Sequence, residues 1–405
     1  MTSGPLQGVR VADFGQFIAG PAVGQILADM GAVVVKVEPV GGEAARDAGA
    51  LGDAMVATNN RDKLGLAVDL RQPAGLEVGR RLVAASDVVI QNMRPGAMDR
   101  LGLGPAQSLE LNPRVVYLSI TAFGAGADPR RAGLDIAAQA ESGMMSVTGD
   151  ADREPQRVGF AVVDQATAYA GAMAVLAALY RRDKHGEGGR GTVIDTSLLE
   201  VALHMQGSAW VQMFATGSEP VRKGNGYPSA APAAEVITLT GGQIVVSAYT
   251  PAHWARLCEA LERPEMVADP RFATNDARIA NREAMRCFIA EALNPRGPAE
   301  AVEFLSGQGI VAGAIRSYRE VVDGPDAARL GSFPSTTTES SGGYRYPAPP
   351  YHFGGYARPE SRPAPGVGEH TRSVLADLGY PPDDIGRLLE QGAVSAWSTP
   401  DTPSM

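Results

Sequence analysis

Asp164 is a carboxylate whose place in the sequence suits either a structural or a reactive role. It follows an apolar stretch at residues 158–163 and directly precedes an uncharged, alanine-rich stretch at residues 165–180. A carboxylate at this point is either the N-cap of a helix or a reactive group at the carboxyl end of a strand, and the two roles are compatible. The helix dipole would hold the carboxylate ionised, and partial burial would strip its water and raise its nucleophilicity.

Basic side chains recur before Asp164 in a chain that is acidic overall. The 405 residues contain 36 Lys and Arg against 45 Asp and Glu, a net charge of −9, so an anionic ligand needs a local basic patch. Arginine forks suit the phosphates of a nucleotide-like cofactor, and we expect the order of strands to bring these side chains to one rim. Taken singly, each is more often a solvated surface charge, and the series gains weight only from the motif NMRPG at residues 92–96. The series is Arg61, Lys63, Arg71, Arg94 and Arg100.

Motifs of several other enzyme classes are missing from the sequence. It has no GxxxxGK[ST] phosphate loop, no GxGxxG after the first predicted strand and no GxSxG nucleophile elbow. Its five histidines lack metal-ligand spacing, so we expect no metal and no tightly bound cofactor. The turn at residues 14–21 is either a plain strand-to-helix connection or a place where backbone amides meet a phosphate.

Charge and targeting signals bear on the partners and the compartment. The negative net charge repels nucleic acid and anionic lipid. The N-terminus lacks the pattern of a signal peptide, and the apolar stretch at residues 14–28 falls short of the roughly 18 residues expected of a membrane span. We therefore expect a cytoplasmic protein that binds neither nucleic acid nor membranes.

The first part of the chain alternates between strand and helix patterns. Predicted strands at residues 9–14, 32–37, 64–70, 87–91 and 115–120 are separated by helical stretches, of which the clearest are residues 20–31 and 73–85. Proline in the first turn and glycine after the last are the expected helix boundaries. The alternation predicts an α/β fold with a mainly parallel, doubly wound sheet, in which ligands bind beyond the carboxyl ends of the strands.

The pattern changes after residue 222, where glycine, proline, serine and alanine predict a linker. A β-hairpin at residues 235–248 and helices after it predict a smaller α+β lobe. An extended arm at residues 340–365 and two short helices follow. We divide the chain into a large Rossmann-like domain at residues 1–222, a small α+β domain at 223–330, and an arm with terminal helices at 331–405 that returns to the large domain.

Seven segments in a fixed order resemble the class III coenzyme A (CoA) transferase family, which includes formyl-CoA transferase, the carnitine CoA-transferase and, as a divergent branch, α-methylacyl-CoA racemase. The resemblance spans nearly the whole chain, and the set is far more specific than any one segment. The segments are LQGVRVADF at residues 6–14, AGP at 19–21, LADMGAVVVKVEP at 27–39, NMRPG at 92–96, DIAAQAESG at 135–143, GEGGRG at 186–191 and GEHT at 368–371.

The resemblance implies an interlocked homodimer that acts on acyl-CoA and a carboxylic acid. It also implies that Asp164 is the catalytic aspartate, which forms an anhydride with the acyl group and then a thioester with CoA. Backbone amides near Asp164 and in residues 16–19 are candidates to stabilise the oxyanions. The positions that line the CoA site in similar enzymes are occupied here by Ile18, Ala19, Pro39, Leu70, Arg71, Asn92, Met93, Arg94 and Arg100.

Two other functions stay open on the sequence. In the racemase branch the matching aspartate works with a His and a Glu, but Leu134 and Thr250 occupy those positions here. Neither side chain exchanges a proton at neutral pH, so two-base racemisation or isomerisation is the second hypothesis. A non-catalytic CoA-binding protein is the third.

Overall fold

The computed structural model describes residues 4–337, 343–356 and 360–397. These residues form two compact units. The predicted boundary at residues 222 and 223 differs from this division, because residues 143–158 and 207–222 belong to the second unit. Unit 1 comprises the described parts of Met1–Ser142, Gly159–Gln206 and Gly331–Met405, and unit 2 comprises Gly143–Val158 and Gly207–Leu330.

The strands and helices of the described residues are numbered in chain order. The strands are β1 Arg10–Asp13, β2 Val33–Glu38, β3 Leu64–Val68, β4 Val88–Gln91, β5 Val116–Thr121, β6 Thr192–Ser197, β7 Glu235–Leu239, β8 Gly242–Ser247, β9 Val311–Ala314 and β10 Val394–Ser395. The α-helices are α1 Ala19–Asp29, α2 Gly49–Asn59, α3 Pro73–Ala84, α4 Ala97–Arg100, α5 Pro105–Leu111, α6 Asp135–Glu141, α7 Met144–Val147, α8 Val162–Lys184, α9 Leu198–Met205, α10 Gly207–Thr216, α11 Pro251–Ala260, α12 Asn275–Ala280, α13 Arg282–Leu293, α14 Pro298–Gly307, α15 Tyr318–Val322, α16 Pro325–Leu330, α17 Thr371–Asp377 and α18 Pro382–Glu390. Short 3-10 helices lie at Ala44–Asp47, Gly186–Gly188 and Pro264–Val267.

Unit 1 is built on a seven-stranded sheet in the order β10-β3-β2-β1-β4-β5-β6. Strands β1 to β6 are parallel, and only β10 pairs antiparallel, with β3. The predicted α/β class with a mainly parallel sheet is therefore confirmed. The strand order reverses between β1 and β4, and in open sheets of this kind ligands bind beyond the strand ends at such a reversal.

Helix α8 is the long helix that carries Asp164, and it packs against α1 and β5 in unit 1. Gly171 permits this close approach, since a Cβ atom there would lie 3.1 Å from side-chain atoms of both Leu118 and Val23. By length and composition α8 is the one helix of the described chain that could cross a bilayer. Its buried side, which includes Val163 and Val175, faces the interior of unit 1.

Unit 2 contains the three-stranded antiparallel sheet β7-β8-β9. The predicted hairpin is present, and its turn lies at Gly241, where the backbone adopts φ of 89°. Helices α11, α13 and α14 contribute apolar residues to a core around Trp254. The buried carboxylate of Glu235 pairs with Arg282 and Arg286 on α13, which fixes that helix against β7.

Two sequence-based predictions need comment. Residues 158–163 form no strand, because α8 already begins at Val162. The predicted arm at residues 340–365 lies partly outside the described residues, namely at 340–342 and 357–359. Its described parts contain no helix and only an isolated bridge of Arg345 to Ser335.

Candidate active site

A cavity of about 580 Å³ opens at the carboxyl ends of β1, β4 and β5, at the reversal of strand order. Each wall comes from a loop or helix end that follows one of these strands, together with the start of α8. Seven of the ten predicted CoA-binding and catalytic positions are brought together here. The predicted residues in the wall are Ile18, Ala19, Asn92, Met93, Arg94, Arg100 and Asp164.

Asp164 lies in the first turn of α8 as its third residue. The N-cap is Ala161, whose side chain makes no capping hydrogen bond. The prediction that Asp164 is an N-cap or ends a strand was therefore wrong, because the helix starts two residues earlier. The Asp164 carboxylate therefore does not cap the helix, and no cationic side chain among the described residues pairs with it.

Asp135, at the start of α6, takes over the capping of α8. Its Oδ2 atom accepts hydrogen bonds from the backbone N–H of Val163 at 2.7 Å and of Asp164 at 3.1 Å. Gln139 donates to the other oxygen of the same carboxylate. These bonds satisfy amides that a helix start leaves unpaired and fix the first turn of α8. Asp135 therefore holds the backbone from which the Asp164 side chain projects.

The pKa of Asp164 is raised to about 7, first by burial and then by the nearby charge of Asp135. Burial in low dielectric disfavours the charged form, and a second carboxylate at short range adds to this effect. The expectation that the helix dipole keeps Asp164 ionised is thus corrected, because Asp135 already occupies the helix start. A carboxylate that titrates near neutral pH marks a candidate functional group.

The loop between β1 and α1 forms the wall nearest the strand reversal. Gln16 donates its backbone N–H to Asn92 Oδ1 at 2.8 Å, and Asn92 Nδ2 donates to the Gln16 carbonyl at 2.8 Å. This reciprocal pair ties the loop to the end of β4. Ile18 and Ala19 follow at the start of α1, and their backbone N–H groups have no protein acceptor within the described chain. The cavity wall therefore includes a helix start whose first amides have no protein acceptor, the kind of site at which helices bind anions.

The basic series divides into cavity residues and structural residues. Arg94 and Arg100 line the cavity, and neither pairs with a carboxylate in the described ranges. Arg61 and Lys63 are instead buried in ion pairs with Asp29 and Asp13 respectively, so the prediction of one basic rim was wrong for these two. Their charges are used inside unit 1.

Pro39, Leu70 and Arg71 lie outside the cavity wall. Pro39 follows β2, while Leu70 and Arg71 follow β3, so all three stand at the same sheet edge one and two strands beyond β1. Adjacent strands are roughly 4.8 Å apart, which places these positions within the length of an extended nucleotide ligand. Arg71 is exposed and pairs with Asp69 at 2.9 Å.

Arg131 is a cavity residue that the sequence did not single out. Its guanidinium lies 3.6 Å from the centre of the Phe123 ring and pairs with Glu141. The role of Asp135 was also missed, although its segment contributed to the family resemblance. No local pattern joins Asp135 to Asp164, which is 29 residues away. Within the described ranges no three His, Cys, Asp or Glu side chains are grouped as metal ligands.

Comparison with known proteins relates the whole chain to one family. A family model described as CoA-transferase family III matches residues 6–371. A probable fatty acyl-CoA transferase of Mycobacterium tuberculosis is 34% identical over 396 residues, which cover 92% of this chain and 98% of that protein. The human succinyl-CoA:glutarate CoA-transferase is 30% identical over 404 residues, which cover 98% and 91% of the two chains.

The fold agrees with the same relationship. The crystal structure of a CAIB/BAIF family protein from Brucella suis superposes with a TM-score of 0.81 at 31% sequence identity. The match covers 93% of this chain and 100% of that one. Both comparisons extend over the sheet, the cavity and unit 2 alike.

Proposed function

Because this chain belongs to CoA-transferase family III and is an enzyme of the CoA-transferase class, we propose that Asp164 is the nucleophile that carries CoA from an acyl-CoA to a carboxylic acid. One observation carries this proposal. Asp164 is the only carboxylate among the residues that line the cavity, and no cation of the described chain neutralises it. A half-buried, unpaired carboxylate that shares a cavity with free backbone amides is suited to attack a thioester.

The proposed transfer proceeds through two covalent intermediates. The Asp164 carboxylate attacks the thioester carbonyl carbon, the C–S bond breaks, and CoA leaves as a thiolate, so that a mixed anhydride is formed. The thiolate then attacks the Asp164 carbonyl carbon, the anhydride C–O bond breaks, and the donor acid leaves, so that an aspartyl thioester is formed. An incoming carboxylate reverses both steps. Each step exchanges one reactive acyl bond for another, so no energy is lost to hydrolysis.

The environment of Asp164 matches these steps. Burial removes the water that would otherwise shield the carboxylate. The pKa of about 7 means that a substantial fraction of Asp164 is ionised at neutral pH and that its carboxylate is a stronger nucleophile than an ordinary aspartate. The free amides of Ile18 and Ala19 provide hydrogen-bond donors for the negative charge that develops on the carbonyl oxygen.

The CoA moiety is proposed to extend along the carboxyl edge of the sheet. Arg94 and Arg100 supply unpaired positive charge for its phosphates. Pro39, Leu70 and Arg71 continue the edge toward β3 and would contact the nucleotide end. The human relative is named a succinyl-CoA:glutarate CoA-transferase, so we propose small carboxylic acids of this kind as donor and acceptor.

Proton transfer at the α-carbon is a second candidate, favoured by the near-neutral pKa of Asp164. A two-base mechanism requires a second titratable group on the far side of the carbon. Leu134 occupies the predicted place of that group and lines the same cavity. Thr250 instead caps α11 and accepts a hydrogen bond from the His253 N–H. Transfer of CoA is therefore the function that the geometry supports best.

Hydroxylamine trapping tests the covalent mechanism directly. The protein is incubated with succinyl-CoA and other acyl-CoA donors, quenched with hydroxylamine, digested and mapped by mass spectrometry. We expect a hydroxamate on Asp164 only, and none in the Asp164→Asn variant. A turned-over donor that leaves Asp164 unmodified would overturn the proposal. Deuterium exchange at the α-carbon without an acceptor acid would favour the second candidate instead.

We also propose that the enzyme works as an interlocked homodimer. One face of α8 exposes Tyr169, Met173 and Tyr180 by 49%, 69% and 70%, a stripe of apolar side chains at helical spacing. A second copy of the chain would cover it. The pairing of β10 with β3 joins the two ends of the chain in unit 1, which is the closure that an interlocked pair requires.

Subunit exchange tests this arrangement. Isotopically heavy and light proteins are mixed and followed by native mass spectrometry. An interlocked dimer yields no mixed species until denaturant is added, whereas an ordinary dimer exchanges in buffer. Met173→Glu should weaken association, and the exposed Arg372→Glu on α17, away from this stripe, serves as its control. A monomer at micromolar concentration would contradict the proposal.

A further inference from the structure

Phe17 adopts an unusual backbone conformation at the edge of the cavity. Its φ is 60°, in the left-handed region that an L-residue with a bulky side chain rarely occupies. The residue directly precedes Ile18 and Ala19, which line the cavity and whose backbone amides have no protein acceptor in the described chain. The direction of these amides therefore depends on a conformation that Phe17 would not choose by itself.

A buried carboxylate holds Phe17 in this conformation. Glu43 Oε2 accepts the backbone N–H of Phe17 at 2.9 Å. The second oxygen of Glu43 lies 3.1 Å from Lys36 Nζ, and both side chains are only 1% exposed. Lys36 in turn donates to the carbonyl of Gly15. The buried ion pair of Lys36 and Glu43 therefore binds the loop backbone on both sides of Gln16, at the Gly15 carbonyl and at the Phe17 N–H.

The backbone of Glu43 is held in turn by Glu38 and Arg46. Its backbone N–H donates to Glu38 Oε2 at 3.0 Å. Arg46 binds Glu38 with two hydrogen bonds of 2.7 Å, one to each carboxylate oxygen. The segment after β2 therefore presents the Glu43 carboxylate at a set position, and Glu43 does not line the cavity that Asp164 lines.

We propose that Glu43 is a positioning residue for CoA transfer, which holds Phe17 left-handed so that the Ile18 and Ala19 amides meet the oxyanion formed at Asp164. The inference rests on the proposed function, because it assigns a use to the same cavity. A purely structural ion pair would support stability alone. A positioning residue instead affects the transition state more than substrate binding.

A double-mutant cycle with Phe17 distinguishes these roles. Glu43→Leu removes the acceptor of the Phe17 N–H. Phe17→Gly and Phe17→Ala remove the same ring, but only glycine adopts a positive φ without steric cost. The kcat for transfer and the KM for the acyl-CoA are measured for Glu43→Leu in the wild-type, Phe17→Gly and Phe17→Ala backgrounds.

We expect Glu43→Leu to lower kcat about 100-fold, as the loss of an oxyanion donor does, with KM changed less than about threefold. The fold-reduction in kcat caused by Glu43→Leu should be at least about fivefold smaller in the Phe17→Gly background, and it should be unchanged in the Phe17→Ala background. Equal losses in all three backgrounds, or an unchanged kcat, would overturn the inference while the transfer mechanism stands. Absence of the Asp164 hydroxamate in the wild-type protein would instead remove the proposed function, and the inference with it.

Glu43→Leu leaves the Lys36 ammonium buried and unpaired, so its folding is checked by circular dichroism and thermal unfolding. If it unfolds below the assay temperature, the cycle is run on Glu43→Leu combined with Lys36→Leu, because replacing both members of a buried ion pair by apolar residues is commonly tolerated. Glu43→Gln keeps an acceptor for Phe17 and should retain more kcat than Glu43→Leu. A Gln variant as slow as the Leu variant would contradict the role of the hydrogen bond.

Discussion

Two groups of charges in unit 1 differ in their partners: one is buried in ion pairs, and the other lies in the cavity wall. In the first group, Lys63 donates to Asp13 at 2.7 Å with both side chains fully buried, and Arg46 binds Glu38. Burial alone would raise the pKa of Glu38, but the hydrogen bonds and charges of Arg46 and Lys36 lower it below its ordinary value. In the wall, Asp164 has only another carboxylate nearby, and its pKa rises to about 7.

The difference separates charges that are paired within the fold from charges that have no such partner among the described residues and are candidates to meet a ligand. A buried carboxylate paired with a cation stays ionised and holds backbone in place. A half-buried carboxylate without such a partner gains nothing for stability, which makes it a candidate functional group. The same division holds for the cations, since Lys63 is paired whereas Arg94 and Arg100 have no carboxylate partner within the described residues.

The largest expected effect comes from Asp164→Asn. Without the nucleophile, kcat for transfer should fall at least about 1,000-fold. The folded variant should be about 2 kcal/mol more stable than the wild-type protein at pH 8. The raised pKa of Asp164 in the folded state means that the wild-type protein loses stability as the pH rises toward that pKa, and asparagine carries no charge to cause this loss. This gain should vanish below pH 4, where the carboxyl group is protonated in both states.

Liquid chromatography of acyl-CoA products measures the first effect, and denaturant unfolding at both pH values measures the second. The exposed Asp377→Asn on α17 is the matched control. Transfer at near wild-type rates by the Asp164→Asn variant would contradict the comparison.

Lys63→Met tests the paired group. The substitution leaves Asp13 buried without its cation, so the free energy of unfolding should fall by about 3–5 kcal/mol. Urea unfolding followed by circular dichroism measures the loss, and the exposed Lys184→Met should change it by less than about 0.5 kcal/mol. A loss equal to that of the control would show that the pair contributes little.

Arg94→Ala and Arg71→Ala compare an unpaired cation with a paired one. Arg94 lines the cavity without a carboxylate partner, so its removal should raise the KM for acyl-CoA about tenfold. Arg71 is exposed and already bound to Asp69, so its removal should change KM about twofold. Initial rates at varied acyl-CoA concentration give both values, and the reverse order would invalidate the division.

The smallest effect concerns Asp135. Transfer needs ionised Asp164, so the rate should rise about tenfold per pH unit below pH 7 and level off above it. Asp135→Asn removes the repelling charge while an amide oxygen still accepts the α8 amides. Because burial is the larger cause of the shift, the midpoint should move to lower pH by about one unit or less. An unchanged or higher midpoint in pre-steady-state rates would contradict this.

The sequence predicts the sheet better than the site. Alternation and boundary residues place α1 and α3 to within one or two residues, because proline and glycine act locally on the backbone. The stretch at residues 158–163 misled the prediction, since apolar residues before a helix also fit a strand. The edge strand β10 has two residues and no pattern of its own, so only its partner β3 defines it.

The partners of the charged residues are what the sequence withholds. Arg61 and Arg94 are the same residue type in the sequence, yet Arg61 forms an ion pair with Asp29 inside unit 1, whereas Arg94 lines the cavity. Asp135 and Asp164 meet only because α6 and α8 begin side by side. Such pairings depend on tertiary packing over many residues, which periodicity does not encode.

The pairing of β10 with β3 has a consequence for synthesis on the ribosome. Val394 pairs with Val68, so the outer edge of β3 stays open while nearly all of the remaining chain is translated. An unpaired strand edge is a template for association with other nascent chains. Stalled or truncated products that lack β10 should therefore aggregate through β3. The last strand to be synthesised is the one that covers the open edge of the sheet in unit 1.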